Sequence, residues 1–361
     1  MNRIVAIFLI AIYFATPTFS SSLRLINANL NRNSLVNGDL VSVLQGDVEF
    51  EYKGSHIKAN SATWYRRDGR ILFRGGVTVD MEHQSVSCKR MVLDKRRKKL
   101  IATKKVNFYD SLEMIRFTAG EVVYNFDSKV LVLTKKPIMN MYDTTANDTL
   151  IITGKKMTYT DSIKTAFVNK NVVIIKGELN AKCQKAEYSN KTGIAHLRVD
   201  PIIHYEIHEL EGDSVDLEFT DNRLSGLIVM RNAKAFYQDI SPTDTAYTKM
   251  RGDSIYLSIM KGGGIDTIWT VKDASTTYYT SSNPTEENRA TGKFLILNFL
   301  ENKSGNLLIK GNAESIFYVE DNKGTGINRA TGNEILIHFA NGKAGYIRLR
   351  GRARGTYSGE S

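Results

Sequence analysis

Apolar and polar residues alternate at period two along much of this chain, and in its C-terminal part the alternation follows a fixed ruler. Gly212, Gly252, Gly292 and Gly332 recur every 40 residues. Three positions after each glycine stand Val215, Ile255, Leu295 and Ile335; five after stand Leu217, Leu257, Leu297 and Ile337; seven after stand Phe219, Ile259, Phe299 and Phe339. The residues between differ in kind, as with Asp216 and Glu218, or Glu334 and His338. Successive side chains of a strand point to opposite faces, so each glycine opens a strand with one apolar face and one that tolerates water. A fixed period of this length is the signature of a repeat protein.

The pattern continues upstream on a shorter period. The glycine column is occupied there by Asn60, Cys88, Ala119, Gly154 and Cys183, at spacings of 28 to 35 residues. Each unit adds a second apolar alternation that runs into a small or polar turn and then another apolar residue, as in Ile71-Leu72-Phe73-Arg74-Gly75-Gly76-Val77. Late copies place Leu227-Ile228-Val229 before Ala233 and Leu307-Leu308-Ile309 before Ala313, with an aromatic four residues further on: Tyr237, Tyr278, Phe317 and Tyr357. The longer units hold their extra residues in polar segments such as 241–244 and 281–284. Helical periodicity of useful length is missing after the first residues, and none of the five prolines falls inside a strand core. The expectation is an all-β, elongated antiparallel stack of about nine two-strand repeats. Single units are too small to bury their own apolar faces, so neighbours must share one interior. The end strands would present unpaired backbone groups. Arg348, Arg350, Arg352 and Arg354 on the last strand read as charge protection of that edge, with the aiming of the edge at an acidic partner as the alternative.

With 361 residues, 42% hydrophobic and 24% charged, the chain is too apolar to be disordered. Arg3, the apolar run Ile4 to Phe14 and the small residues from Ala15 to Ser20 read as an export signal. That run is shorter than the roughly 20 residues a membrane-spanning helix needs. The expected organisation is a signal peptide over 1–20 and one repeat domain over 21–361, with short repeats to about 211 and 40-residue repeats from about 212. The expected location is the periplasm, by cleavage near Ser20 or, as the alternative, as an uncleaved inner-membrane anchor. Cys88 and Cys183 share a column three repeats apart. At about 4.8 Å per strand they would lie about 14 Å apart, beyond the ~7 Å reach of a disulfide, so none is expected. The formal net charge of +11 favours an anionic partner. After export that means phosphorylated lipid or acidic glycan rather than nucleic acid.

These residues resemble the OstA-like periplasmic proteins of lipopolysaccharide transport. The resemblance lies in the closing Gly46-Asp47-Val48, Gly75-Gly76-Val77 and Gly311-Asn312-Ala313, and in small-residue starts such as Ala62-Thr63-Trp64-Tyr65 and Ala186-Glu187-Tyr188. It extends from about Asn27 to Tyr357. It implies a V-shaped antiparallel jelly roll, or β-taco, whose interior holds the acyl chains of lipid A. It also implies partners among the inner- and outer-membrane components of lipopolysaccharide transport, and copies that join end to end through terminal strands. This chain is much longer than the family's short bridge protein, which leaves open whether its role is bridge, chaperone or anchored acceptor.

The candidate lipid contacts are the three inward columns, from Val215 to Phe339. Acyl chains would gain about 0.8 kcal/mol per buried methylene without directional contacts, and could slide. The same columns are equally consistent with a closed core in a structural scaffold or adhesin. A polysaccharide-acting parallel β-helix is a further alternative, disfavoured by the variable repeat length and the lack of a carboxylate cluster. His204 and His208 fall on one face of an extended strand with Glu206, but strand spacing keeps them from sharing one zinc ion. Lys95-Arg96-Arg97-Lys98-Lys99 reads as a solvated hairpin turn, with contact to lipid phosphates as the alternative, and Gly262-Gly263-Gly264 lacks the context of a phosphate loop. Neither a catalytic constellation, a metal set nor a cofactor motif stands out, so the expectation is a non-enzyme without cofactors.

Overall fold

The computed structural model describes residues 23–359 except 53, 144–146, 241, 243, 301–302, 322–323 and 341–342. The signal-peptide segment lies outside the described residues. The described chain is almost entirely antiparallel strand, with a single 3-10 turn at Asp161–Ile163. It divides into two compact units. The N-terminal unit runs to Tyr142 and includes Thr153–Val168; the C-terminal unit comprises Asp143–Ile152 and Asn169–Ser361.

In the N-terminal unit, strands Asp39–Tyr52, Ser55–Tyr65, Arg70–Asp80, Gln84–Asp94, Lys99–Asp110 and Ile115–Asn125 form a meander in which each pairs with the next. The C-terminal unit repeats the scheme with longer strands: Arg223–Ile240, Thr245–Ile259, Ile265–Thr280, Asn288–Leu300, Lys303–Asp321 and Gly324–Ala340.

Alternate strands carry a corner near their middle. Two consecutive residues there adopt left-handed backbone angles, as at Gly46-Asp47, Gly75-Gly76, Lys104-Lys105, Arg231-Asn232, Lys272-Asp273 and Gly311-Asn312, with φ between 44° and 79°. The ladder shifts register at each of these pairs, so that two residues face one on the neighbouring strand. One extra residue placed in this way bends a strand. The single residue opposite donates its N–H to the first corner carbonyl, as in Asn29 to Gly46 (2.9 Å), Gly120 to Lys135 (2.9 Å) and Asp213 to Arg231 (3.0 Å). The small or polar turns of the sequence pattern are therefore corners inside continuous strands, and the chain reverses only at the hairpins between strands.

The corners divide each unit into two wings. Wing A holds the strand segments on the side of Phe50, Ile57, Val79 and Val86, which face one another in register. Wing B holds those on the side of Leu44, Ala62, Phe73 and Met91. In the C-terminal unit, wing A contains Ala235, Met250, Thr276, Ala290, Ser315 and Ala330 in one row, and wing B contains the three candidate columns.

The glycine column is explained by close approach. Gly252 and Gly292 lie in strand interiors, beside the corners, and their φ values do not demand glycine. A Cβ at Gly252 would stand 2.4 Å from Thr270 Cγ2 and 3.0 Å from the Val271 carbonyl. One at Gly292 would stand 2.8 Å from Ile309 Cγ2. The upstream end of this column is Ala59, paired with Val48, and not Asn60. Asn60 sits one residue on, opposite the corner, where its side chain would meet a Cβ on Gly75 at 2.9 Å. Gly252→Val is expected to cost about 1–3 kcal/mol through overpacking, read as a lower urea midpoint. Gly262→Val, on a hairpin tip where a Cβ meets nothing within 4 Å, should stay within ~0.5 kcal/mol. Equal losses would refute the close-approach account.

Candidate functional site: the apolar interior

All twelve candidate residues lie on strands of wing B. Val215, Leu217 and Phe219 are on Ser214–Thr220; Ile255, Leu257 and Ile259 on Thr245–Ile259; Leu295, Leu297 and Phe299 on Asn288–Leu300; Ile335, Ile337 and Phe339 on Gly324–Ala340. Eleven are buried, and Ile259 is half-buried. The intervening strands complete the columns. Leu217, Leu227, Leu257, Ile268, Leu297, Leu307 and Ile337 form one unbroken row in cross-strand register. Val215, Val229, Ile255, Thr270, Leu295, Ile309 and Ile335 form the next. The sequence repeat displays only every second member, because alternate strands run in opposite directions and their glycines are not in phase.

The third column has its own geometry. A register shift falls at Phe219, Ile259, Phe299 and Phe339, just before each hairpin. These bulges keep the side chains inward at the outer margin of wing B. The aromatic column Tyr237, Tyr278 and Phe317 lies on wing A and meets them across the interior. The rings of Tyr237 and Phe299 are 4.8 Å apart, those of Tyr278 and Phe339 5.9 Å, and those of Phe317 and Phe339 6.2 Å. Tyr237 thus reaches past Ile259 to the next repeat, so wing A is slanted against wing B. Burial raises the Tyr237 hydroxyl pKa well above its ordinary value and that of Tyr278 to about 12. Tyr357, in the same column of the sequence, is exposed on the final strand.

The N-terminal unit shows the same contact between wings. Phe50 of wing A packs on Trp64 and Phe73 of wing B at 5.4 and 5.5 Å, and Phe117 packs on Tyr159 at 5.0 Å. In both units the hydrogen-bonded ladders run within wings, and side chains hold one wing to the other. A void of about 10 Å³, enough for one water, lies in the C-terminal unit between Thr248, Thr276, Tyr278 and Asn288 of wing A and Leu297, Leu307 and Phe339 of wing B. Wing A there is lined by small and hydroxylated residues, among them Ala235, Thr276, Ala290 and Ser315, facing the aliphatic rows of wing B.

Two polar motifs of the sequence are rearranged. His204 and His208 do not share an extended strand: the chain reverses through Glu206 (φ 54°) and Ile207, pairing Ile202–Tyr205 with His208–Glu211. His204 faces outward, 3.6 Å from Glu209, whereas His208 faces inward. The His208 ring stacks on Tyr237 at 4.4 Å, and its Nδ1 accepts the Gln238 N–H at 3.3 Å. Glu206 approaches Nε2 at 3.8 Å, yet burial dominates and lowers the His208 pKa to about 4. The Lys95-to-Lys99 cluster forms a hairpin turn in which Asp94 accepts the Arg97 N–H at 2.9 Å. Cys88 and Cys183 are buried free thiols whose pKa values burial raises to about 11. Among the described residues, no three His, Cys, Asp or Glu side chains converge as a metal set. No described helix is long and apolar enough to cross a membrane.

The depressed His208 value fixes a pH dependence. Below the ordinary value near 6.5 the unfolded chain binds a proton that the folded chain refuses. The stability linked to neutral His208 is therefore complete above pH 6.5 and declines as pH falls toward 4. His208→Phe, which keeps a stacking ring, should lose roughly 2–3 kcal/mol less than the parent between pH 7 and 4, measured by urea unfolding. Parallel pH profiles for the two proteins would contradict this.

No protein-family model matches the chain, and no curated protein matches it. Among solved structures, the chain is similar to LptH of Pseudomonas aeruginosa, described as the LptA homologous periplasmic component of the conserved lipopolysaccharide transport device. The identity is 12% and the TM-score 0.24, over 40% of this chain and 82% of that one.

Proposed function

We propose that this protein is a non-catalytic periplasmic carrier of acylated envelope lipid, lipopolysaccharide foremost, whose acyl chains lie between the wings against the candidate columns. The observation that carries the reading is that, among the described residues, backbone joins the wings at the corners, while across the interior they meet through apolar side chains and aromatic rings. Such contacts are non-directional and can be exchanged for contacts with acyl methylenes at little net change. The corner ladders can stay intact as the margins part. A carrier of this kind would receive lipid from an inner-membrane partner and pass it toward the outer membrane.

A second reading, a structural scaffold or adhesin with a filled core, is favoured by the contact of ring with ring across the interior, where the described void between the wings has room for about one water. The two are separated by placing a photo-crosslinking residue at Leu257, which faces inward, and at Ser258, which faces outward. With purified lipopolysaccharide, adducts are expected at position 257 and not at 258. Absence of adducts at both positions, with the protein folded, would select the scaffold.

A further inference from the structure

The outer face of wing B in the C-terminal unit carries an apolar stripe that the interior does not use. Ile228, Tyr256, Trp269, Ile296, Leu308 and Leu336 stand in one cross-strand row, each facing away from the core between two buried neighbours. Trp269 is 38% exposed, and Phe294, one step nearer the corners, is 47% exposed. Tyr256 and Trp269 stack at 5.9 Å and 17°, which presents a flat double ring to solvent. A central row of apolar residues by itself reflects strand propensity. The matching row of the N-terminal unit, Val43, Thr63, Leu72, Val92, Ile101 and Val123, carries no aromatic ring. The exposed aromatics distinguish the C-terminal face.

Charge borders the stripe on its corner side. Arg231, Lys272, Lys293, Lys310, Arg348 and Arg350 lie there or at its end. Asp253 pairs with Lys272 at 3.5 Å, and Glu334 lies 3.6 Å from Lys310 and 3.8 Å from Arg350. Asp213 and Asp273 lie on the same border, yet basic groups still outnumber acidic ones there, in keeping with the net charge of +11. Amphipathic aromatic rings beside lysine and arginine suit the interface of an anionic bilayer, where rings sit at headgroup level and the cations meet phosphate.

We propose that this outer face docks the protein on an anionic lipid bilayer. Trp269, Tyr256 and Phe294 enter the headgroup region, and the basic border lies on lipid phosphates. The proposal goes beyond lipid carriage and does not depend on it, because the docking residues point away from the interior.

The chain has two tryptophans, so Trp64→Phe leaves Trp269 as the fluorescent reporter. With vesicles of phosphatidylglycerol and phosphatidylcholine in equal parts, its emission should shift to the blue. The parent protein should co-sediment with these vesicles, less so as salt is raised, and should ignore pure phosphatidylcholine. Lys293→Gln and Arg348→Gln should each weaken binding about fivefold. Trp269→Ser with Phe294→Ser should weaken it more than about tenfold, with circular dichroism confirming the fold of every variant. The proposal is overturned by absence of vesicle binding, by equal binding to neutral vesicles, or by binding that survives the double serine variant. Self-association through this face without vesicle binding would assign it to a second copy and likewise overturn the proposal.

Discussion

The two-residue left-handed corner is the constraint on which each unit depends. Positive φ costs an L-residue about 1 kcal/mol or more, and here it is imposed on lysine, arginine and even Val199 as well as glycine and asparagine. What holds these residues in place is the ladder on either side. A pair facing a single residue leaves donors and acceptors that fit only if the strand bends, and the opposing N–H then closes on the first corner carbonyl. The tight approach of the corner excludes large side chains from the neighbouring position, and the column of glycine, alanine and cysteine follows from it. Spacing of the corners, more than composition of the strands, sets where one wing ends and the other begins.

Between the wings the physics changes from directional to non-directional. Backbone groups are satisfied within each wing, so the interior has only side chains to offer. In the C-terminal unit these are aliphatic on wing B and mostly small on wing A, with rings closing the margin away from the corners. Buried hydroxyls such as Thr270 and Ser315 stand among these apolar rows. Carriage between the wings and docking by an outer face would use opposite sides of the same strands, an economy that follows from the period of two.

The all-β antiparallel architecture and the membership of the inner columns were legible because burial of one face forces alternation, and a constant corner spacing keeps it in phase. The corner itself was not. Gly75-Gly76 and Gly311-Asn312 have the composition of chain-reversing turns, and nothing local distinguishes a bend within a strand from a reversal between two. Following the variable spacing upstream leads to Asn60 as the column residue, whereas register places Ala59 there. The His204–His208 hairpin was hidden by its turn, Glu206-Ile207, which lacks the usual glycine or asparagine. The slant that brings Tyr237 to Phe299 depends on how strands twist and stack, which a one-dimensional repeat does not encode.

Pairing of each strand mainly with its immediate neighbours in sequence has a consequence for how the chain acquires its structure. Contacts of this kind close short loops, so their entropic cost is met hairpin by hairpin and no distant segment is awaited. A chain delivered N-terminus first can therefore add strands to a growing edge as they arrive, each new hairpin using its predecessor as a template. Length then becomes a tunable quantity: inserting or deleting one corner-bearing pair of strands changes the number of rungs while leaving every other register untouched.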